Sequence, residues 1–62
     1  MVGFITNSGT KYYINEVDKT IWGGRIKSPK RYVDCSVMIG CNGIFILEDG
    51  KVLKTNIIRG YL

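Results

Sequence analysis

The sequence predicts an all-β protein: a small, strongly curved antiparallel sheet or partly open barrel of five to seven short strands. It forms one domain over residues 1–62. Three observations predict this. Apolar side chains recur at every second position through Val33, Cys35, Val37, Ile39 and Cys41, the period of a strand with one buried face. Two turn dipeptides, Asn42-Gly43 and Asp49-Gly50, follow in quick succession, and both tolerate the positive φ angles of a two-residue hairpin. Gly23-Gly24 interrupts an otherwise strand-like run, Thr20 to Lys27, where a bulge, a sharp bend or close approach of another backbone is expected, the bend being favoured because it would let the sheet curl over its own core.

A chain of 62 residues buries only about 60% of the surface its unfolded form exposes, so it is marginal unless something staples it. There is no histidine, and two cysteines cannot complete a zinc site by themselves. Cys35 and Cys41 fall on one expected strand, with α-carbons roughly 20 Å apart, far beyond the ~7 Å reach of a disulfide. They read as small buried hydrophobes in a reducing compartment. Self-association is the staple that remains. The longest apolar run, Ile44 to Leu47, is far too short to span a membrane, and the N-terminus lacks the pattern of a signal peptide. The expected location is therefore the cytoplasm of a bacterium or of a phage-infected cell. The net charge of +4 favours anionic partners.

Taken in order, Gly3 to Thr6 and Thr10 to Ile14 read as a hairpin across Asn7-Ser8-Gly9, a turn cluster suited to a left-handed glycine. Adjacent strand residues point to opposite faces, so Tyr12 and Tyr13 should supply one core ring and one half-exposed ring. Trp22 then stands beside the Gly23-Gly24 gap, where a flat ligand could slide. Arg25, Lys27, Lys30 and Arg31 form the one charge cluster, broken by Ser28-Pro29. Proline removes a ladder donor, which marks a loop or sheet edge. Such residues either guard an edge strand or grip phosphates through charge and arginine geometry, with Tyr32 available to stack on a base.

In the central meander, two-residue turns at Asn42-Gly43 and Asp49-Gly50 would set Cys41 against Ile44, Leu47 against Val52 and Ile46 against Leu53. One face then carries Val37, Ile39, Cys41, Ile44, Ile46 and Leu53, the expected core. The other carries Met38, Phe45, Leu47 and Val52. That second face should be polar in a half-buried sheet and is not, so these four residues are the expected interface with a second copy or a partner. The chain ends Gly60-Tyr61-Leu62, which suits a closing strand docked on the first strand or on a neighbouring subunit.

No catalytic constellation emerges. The carboxylates are Glu16, Asp18, Asp34, Glu48 and Asp49, spread over turns and a strand, with Asp34 the expected ion-pair partner of the basic segment. The serines have no imidazole to activate them, and the glycines form no phosphate loop. The expected protein is not an enzyme, needs no cofactor, and has no metal site. It is a binding protein, homo-oligomeric, that sequesters a nucleotide signal or nucleic acid through Arg25, Lys27, Lys30, Arg31, Trp22 and Tyr32. The alternatives are an inhibitor of a host protein acting through its apolar face or an edge strand, and a structural virion component.

The run Ile5-Thr6-Asn7-Ser8-Gly9-Thr10-Lys11-Tyr12-Tyr13-Ile14, with Gly50-Lys51-Val52-Leu53-Lys54-Thr55 later, resembles short all-β accessory proteins of bacteriophages and bacteria whose function is unassigned. The resemblance covers two short motifs made mainly of turn chemistry. It implies a phage or prophage accessory factor, a class that includes inhibitors of host enzymes and sponges for nucleotide signals, and it carries over no functional residue.

Overall fold

A computed structural model describes residues 2–62. Six antiparallel strands, β1 (Val2–Thr6), β2 (Lys11–Asn15), β3 (Thr20–Gly23), β4 (Ile26–Ser36), β5 (Asn42–Leu47) and β6 (Val52–Tyr61), follow one another around a closed barrel. Closure comes from β6 pairing with β1, Phe4 opposite Tyr61 and Thr6 opposite Ile58. The Leu62 amide donates to the Gly3 carbonyl at 2.8 Å. The apolar C-terminal residues thus dock on the first strand, one of the two expected destinations.

Short strands close into a ring only if some of them bend. The register shifts in β1 against β6, β3 against β4, β4 against β5 and β5 against β6, and each bulge adds local twist. The long strands serve two neighbours each. The first half of β4 pairs with β3 and its second half with β5; β6 pairs with β5 and then with β1.

The hairpin turns depart from the sequence expectation, with consequences for every side chain nearby. At Glu48-Asp49-Gly50 the Leu47 amide donates to the Lys51 carbonyl and the Gly50 amide to the Leu47 carbonyl, with Gly50 at φ 87°. This is a three-residue loop with a left-handed glycine, not a two-residue turn. Asn7-Ser8-Gly9 has the same bonding, with Gly9 at φ 85°. Asn42-Gly43 is not a turn at all: it begins β5, and the chain reverses through residues 37–41, with Gly40 at φ 89°. A Cβ on Gly43 would sit 2.8 Å from the Thr55 hydroxyl oxygen, so this glycine is required for room. The Gly43 amide donates to that oxygen at 2.9 Å, and the Thr55 hydroxyl donates to the Asn56 carbonyl at 2.8 Å. The buried threonine is therefore fully satisfied.

The observed pairs are Ser36–Ile44, Cys35–Phe45 and Asp34–Ile46 on one side of β5, and Ile44–Lys54, Phe45–Leu53 and Ile46–Val52 on the other. A one-residue change of register exchanges the faces. Phe45, assigned above to an outer face, is fully buried, while Ile44 and Ile46, assigned to the core, are 39% and 40% exposed. Ile39, Cys35 and Cys41 are also exposed. Val37 and Leu53 do pack against the core, as does Leu47 from the supposed outer set. The core consists of Phe4, Ile14, Ile21, Tyr32, Phe45 and Ile58. Its centre is a set of rings: Phe4 lies 5.2 Å from Tyr12 and 6.3 Å from Phe45, and Tyr32 meets Phe45 edge-on at 5.5 Å.

Gly23-Gly24 also differs from the expected mid-strand bend. Gly23 ends β3 opposite Ile26, and Gly24-Arg25 is the turn between β3 and β4. Gly23, at φ 114°, leaves no room for a Cβ, which would fall 2.5 Å from the Lys11 carbonyl oxygen. The glycines therefore admit a neighbouring backbone.

Neighbouring residues give opposite outcomes in this register. Phe45→Ala should cost about 3–5 kcal/mol, whereas Ile46→Thr should stay within roughly 0.5 kcal/mol. Urea unfolding of both variants measures the difference, and the reverse order would contradict the assignment of faces.

Candidate nucleic-acid interface

The candidate surface lies on the outside of the barrel. Tyr12 packs on Phe4 and Ile14 is buried, so Tyr13 between them points outward. By the same alternation, Trp22 points outward because Ile21 is buried. Tyr13 and Trp22 are directly opposed on β2 and β3, and their rings stack at 6.0 Å with 26° between planes. On the other side of Tyr13 lies Gly3, covered by the Leu62 side chain, whose atoms would meet a Cβ there at 3.2 Å. Beyond Trp22 lies the bulge of β4, where Lys27, Ser28 and Pro29 stand against that one residue between the pairs Gly23–Ile26 and Ile21–Lys30.

Cations flank this aromatic row. Lys11 precedes Tyr13 by two residues on the same face. Thr20 faces Arg31 across β3 and β4, which places Arg31 on the outward row beyond Trp22. Lys27, next to the partly buried Ile26, is exposed beside the indole. Arg31 also meets Glu48 at 3.9 Å, with both side chains more than 60% exposed. Such a pair contributes about 0–1 kcal/mol and yields readily to a phosphate.

The residues expected to form one basic grip are distributed differently. Arg25 occupies the β3–β4 turn, and Lys27 to Arg31 lie within β4 rather than in a loop. Pro29 falls in the bulge, where its missing amide costs no ladder bond. From Ile26 to Lys30 the strand pairs with β3 alone, β5 partners beginning at Tyr32. This stretch is therefore a free edge, and its proline and lysines guard it as described for edge strands. Lys30 and Arg31 border a shallow recess of about 270 Å³ that Glu48 and Asp49 also line, so its charge is mixed. A second recess, of about 400 Å³, likewise pairs Lys19 and Arg31 with Asp18 and Glu48. Neither concentrates positive charge.

Tyr32 cannot stack on a ligand, because its ring is 8% exposed and packed on Phe45. Nor is there a slot beside Trp22 at the glycines: the Thr10 methyl and the Tyr12 ring occupy the space over Gly24. Of the expected interface residues, Phe45 is sealed in the core and Leu47 packs against it, while Met38 (62%) and Val52 (64%) are exposed. Among the described residues Asp34 makes no ion pair; its carboxylate accepts from the Cys35 amide at 2.9 Å. Tyr13 is the residue that sequence reasoning left out of the site. Alternation gave one half-exposed ring between Tyr12 and Tyr13 without saying which.

Burial pushes the Tyr32 phenol above its ordinary value, and the adjacent Cys35 thiol adds to the shift. Burial also raises the Cys35 thiol, with Asp34 adding, while the Tyr32 hydroxyl and Lys19 oppose it. Cys35 is nonetheless exposed as a residue. A raised pKa keeps it in the less reactive thiol form.

For Tyr32 the folded state favours the protonated phenol, so its contribution to stability is complete below the unfolded value near 10. It disappears as pH rises through the higher folded value. Ultraviolet titration at alkaline pH should show a late-ionising tyrosine that vanishes in Tyr32→Phe, and stability should fall at the top of that range in wild type only.

Among the described residues no three Cys, Asp or Glu side chains gather where they could hold a metal ion, and no helix is long and apolar enough to cross a membrane. No protein-family model matches the chain, and neither a curated protein nor a solved structure is significantly similar to it.

Proposed function

We propose that this protein is a non-catalytic binding module for single-stranded nucleic acid, with the outer face of β2 and β3 as its contact surface. The observation that carries this reading is the stacked, half-buried Tyr13–Trp22 pair with Lys11, Lys27 and Arg31 around it. Aromatic rings exposed on a sheet surface accept bases by stacking, with little regard to sequence, while flanking cations hold the phosphates. The rows of Lys11 and Arg31 are four residues of strand apart, or about 13 Å. Successive phosphates of an extended strand bridge that span better than the single phosphate group of a mononucleotide. Such a module would suit a phage or prophage accessory factor that sequesters its ligand in the cytoplasm of an infected cell.

Trp22 is the sole tryptophan and reports directly on its own surface. Titration with a single-stranded oligonucleotide of about ten nucleotides should quench its fluorescence. Tyr13→Ala should weaken binding by roughly 5- to 100-fold, the loss of one stacking platform. Lys27→Ala and Arg31→Ala should each reduce the slope of log affinity against log salt by about 0.7. Absence of quenching at low salt, or binding indifferent to Tyr13, would refute the proposal; equal affinity for a mononucleotide would reassign the ligand to a nucleotide signal.

A further inference from the structure

The outer surface of β4, β5 and β6 carries a second feature, independent of the aromatic face. In a ring of six sequential strands β5 lies across from β2, so the two surfaces point in opposite directions. On β5 the outward residues are Ile44 and Ile46, each flanked by one residue of β4 and one of β6. The first row reads Ser36–Ile44–Lys54 and the second Asp34–Ile46–Val52. Ile44, Ile46 and Val52 are all exposed, forming an aliphatic ridge where an outer face is ordinarily polar. Asp34 and Lys54, also exposed, occupy opposite corners of this rectangle, one acid and one base with the isoleucines between them.

That diagonal arrangement is self-complementary. A two-fold axis lying in the contact plane, perpendicular to the line from Asp34 to Lys54, exchanges the two corners. A second copy placed by that axis sets its Asp34 over Lys54 and its Lys54 over Asp34. It also sets Val52 near its counterpart and Ile44 and Ile46 together at the centre. The strands of the two copies then cross steeply, near the orthogonal class of sheet packing. In such an isologous contact the patch meets itself, and both acid–base pairs form at once.

We infer that the Asp34/Ile44/Ile46/Val52/Lys54 face is a two-fold contact between copies of this chain. The closed barrel hides Phe45 and so removes the earlier reason to expect assembly, but the charge pattern of the outer face supplies a different one. The resulting dimer presents its two aromatic faces outward on opposite sides.

Charge reversal tests it without needing a ligand. Sedimentation equilibrium at low salt should show wild type in a concentration-dependent monomer–dimer equilibrium that weakens as salt rises. Asp34→Lys and Lys54→Asp should each weaken self-association by about tenfold or more, because each sets two like-charge pairs in the contact. An equimolar mixture of the two single variants should associate at least as tightly as wild type, since every corner then meets its opposite. The double variant Asp34→Lys/Lys54→Asp should dimerise like wild type, and Val52→Asp should abolish the dimer, all with unchanged circular dichroism. A wild type monomeric to about 1 mM, a dimer that ignores both reversals, or a mixture no tighter than the single variants would overturn the inference.

Discussion

Closure of the sheet is the constraint on which the rest of this structure depends. Pairing β6 with β1 turns a flat meander, which has two faces to cover, into a ring with one interior. That interior is small enough for a handful of rings and branched side chains from all six strands to fill. Phe4 and Phe45 lie nearly parallel, with Tyr12 stacked on one and Tyr32 set edge-on against the other, geometries that aromatic quadrupoles favour. A domain of this length builds such a core because every strand contributes to it.

Bending six short strands into so tight a ring requires interruptions, and these fall where the chain tolerates them. Pro29 sits where three residues of β4 bulge against one of β3. Gly43 lies where β5 passes so close to Thr55 that no side chain fits, and the threonine hydroxyl repairs the hydrogen bonding that the bulge disturbs. The same devices that close the barrel therefore place Lys27 beside Trp22 and leave the first half of β4 as a free edge.

The outside of the barrel is not uniform. Two surfaces stand out there because each violates the usual polar exterior in its own way: aromatic and basic across β2 and β3, aliphatic with one acid and one base across β4 to β6. Since these faces lie on opposite sides of the ring, the ligand proposed for one would not compete with the second copy proposed for the other. The exposed ion pair of Arg31 and Glu48 marks the seam between them.

The all-β class, the antiparallel order of strands, the Asn7-Ser8-Gly9 hairpin, the split of Tyr12 and Tyr13 into one core ring and one half-exposed ring, and the edge character of the Pro29 segment were all legible in the residues. Each rests on local chemistry: side-chain alternation, left-handed glycine, and a missing amide. Register was not legible, because Asp-Gly serves both a two-residue and a three-residue loop, and that single residue of difference decides whether Phe45 or Ile46 faces inward. Nor could the residues reveal that Gly43 is small for the sake of Thr55, twelve positions away, or that Tyr32 belongs to the core. Those outcomes depend on which backbones approach one another once the ring closes, a long-range fact. Local preference determined the strands; closure alone decided which of their faces meets water.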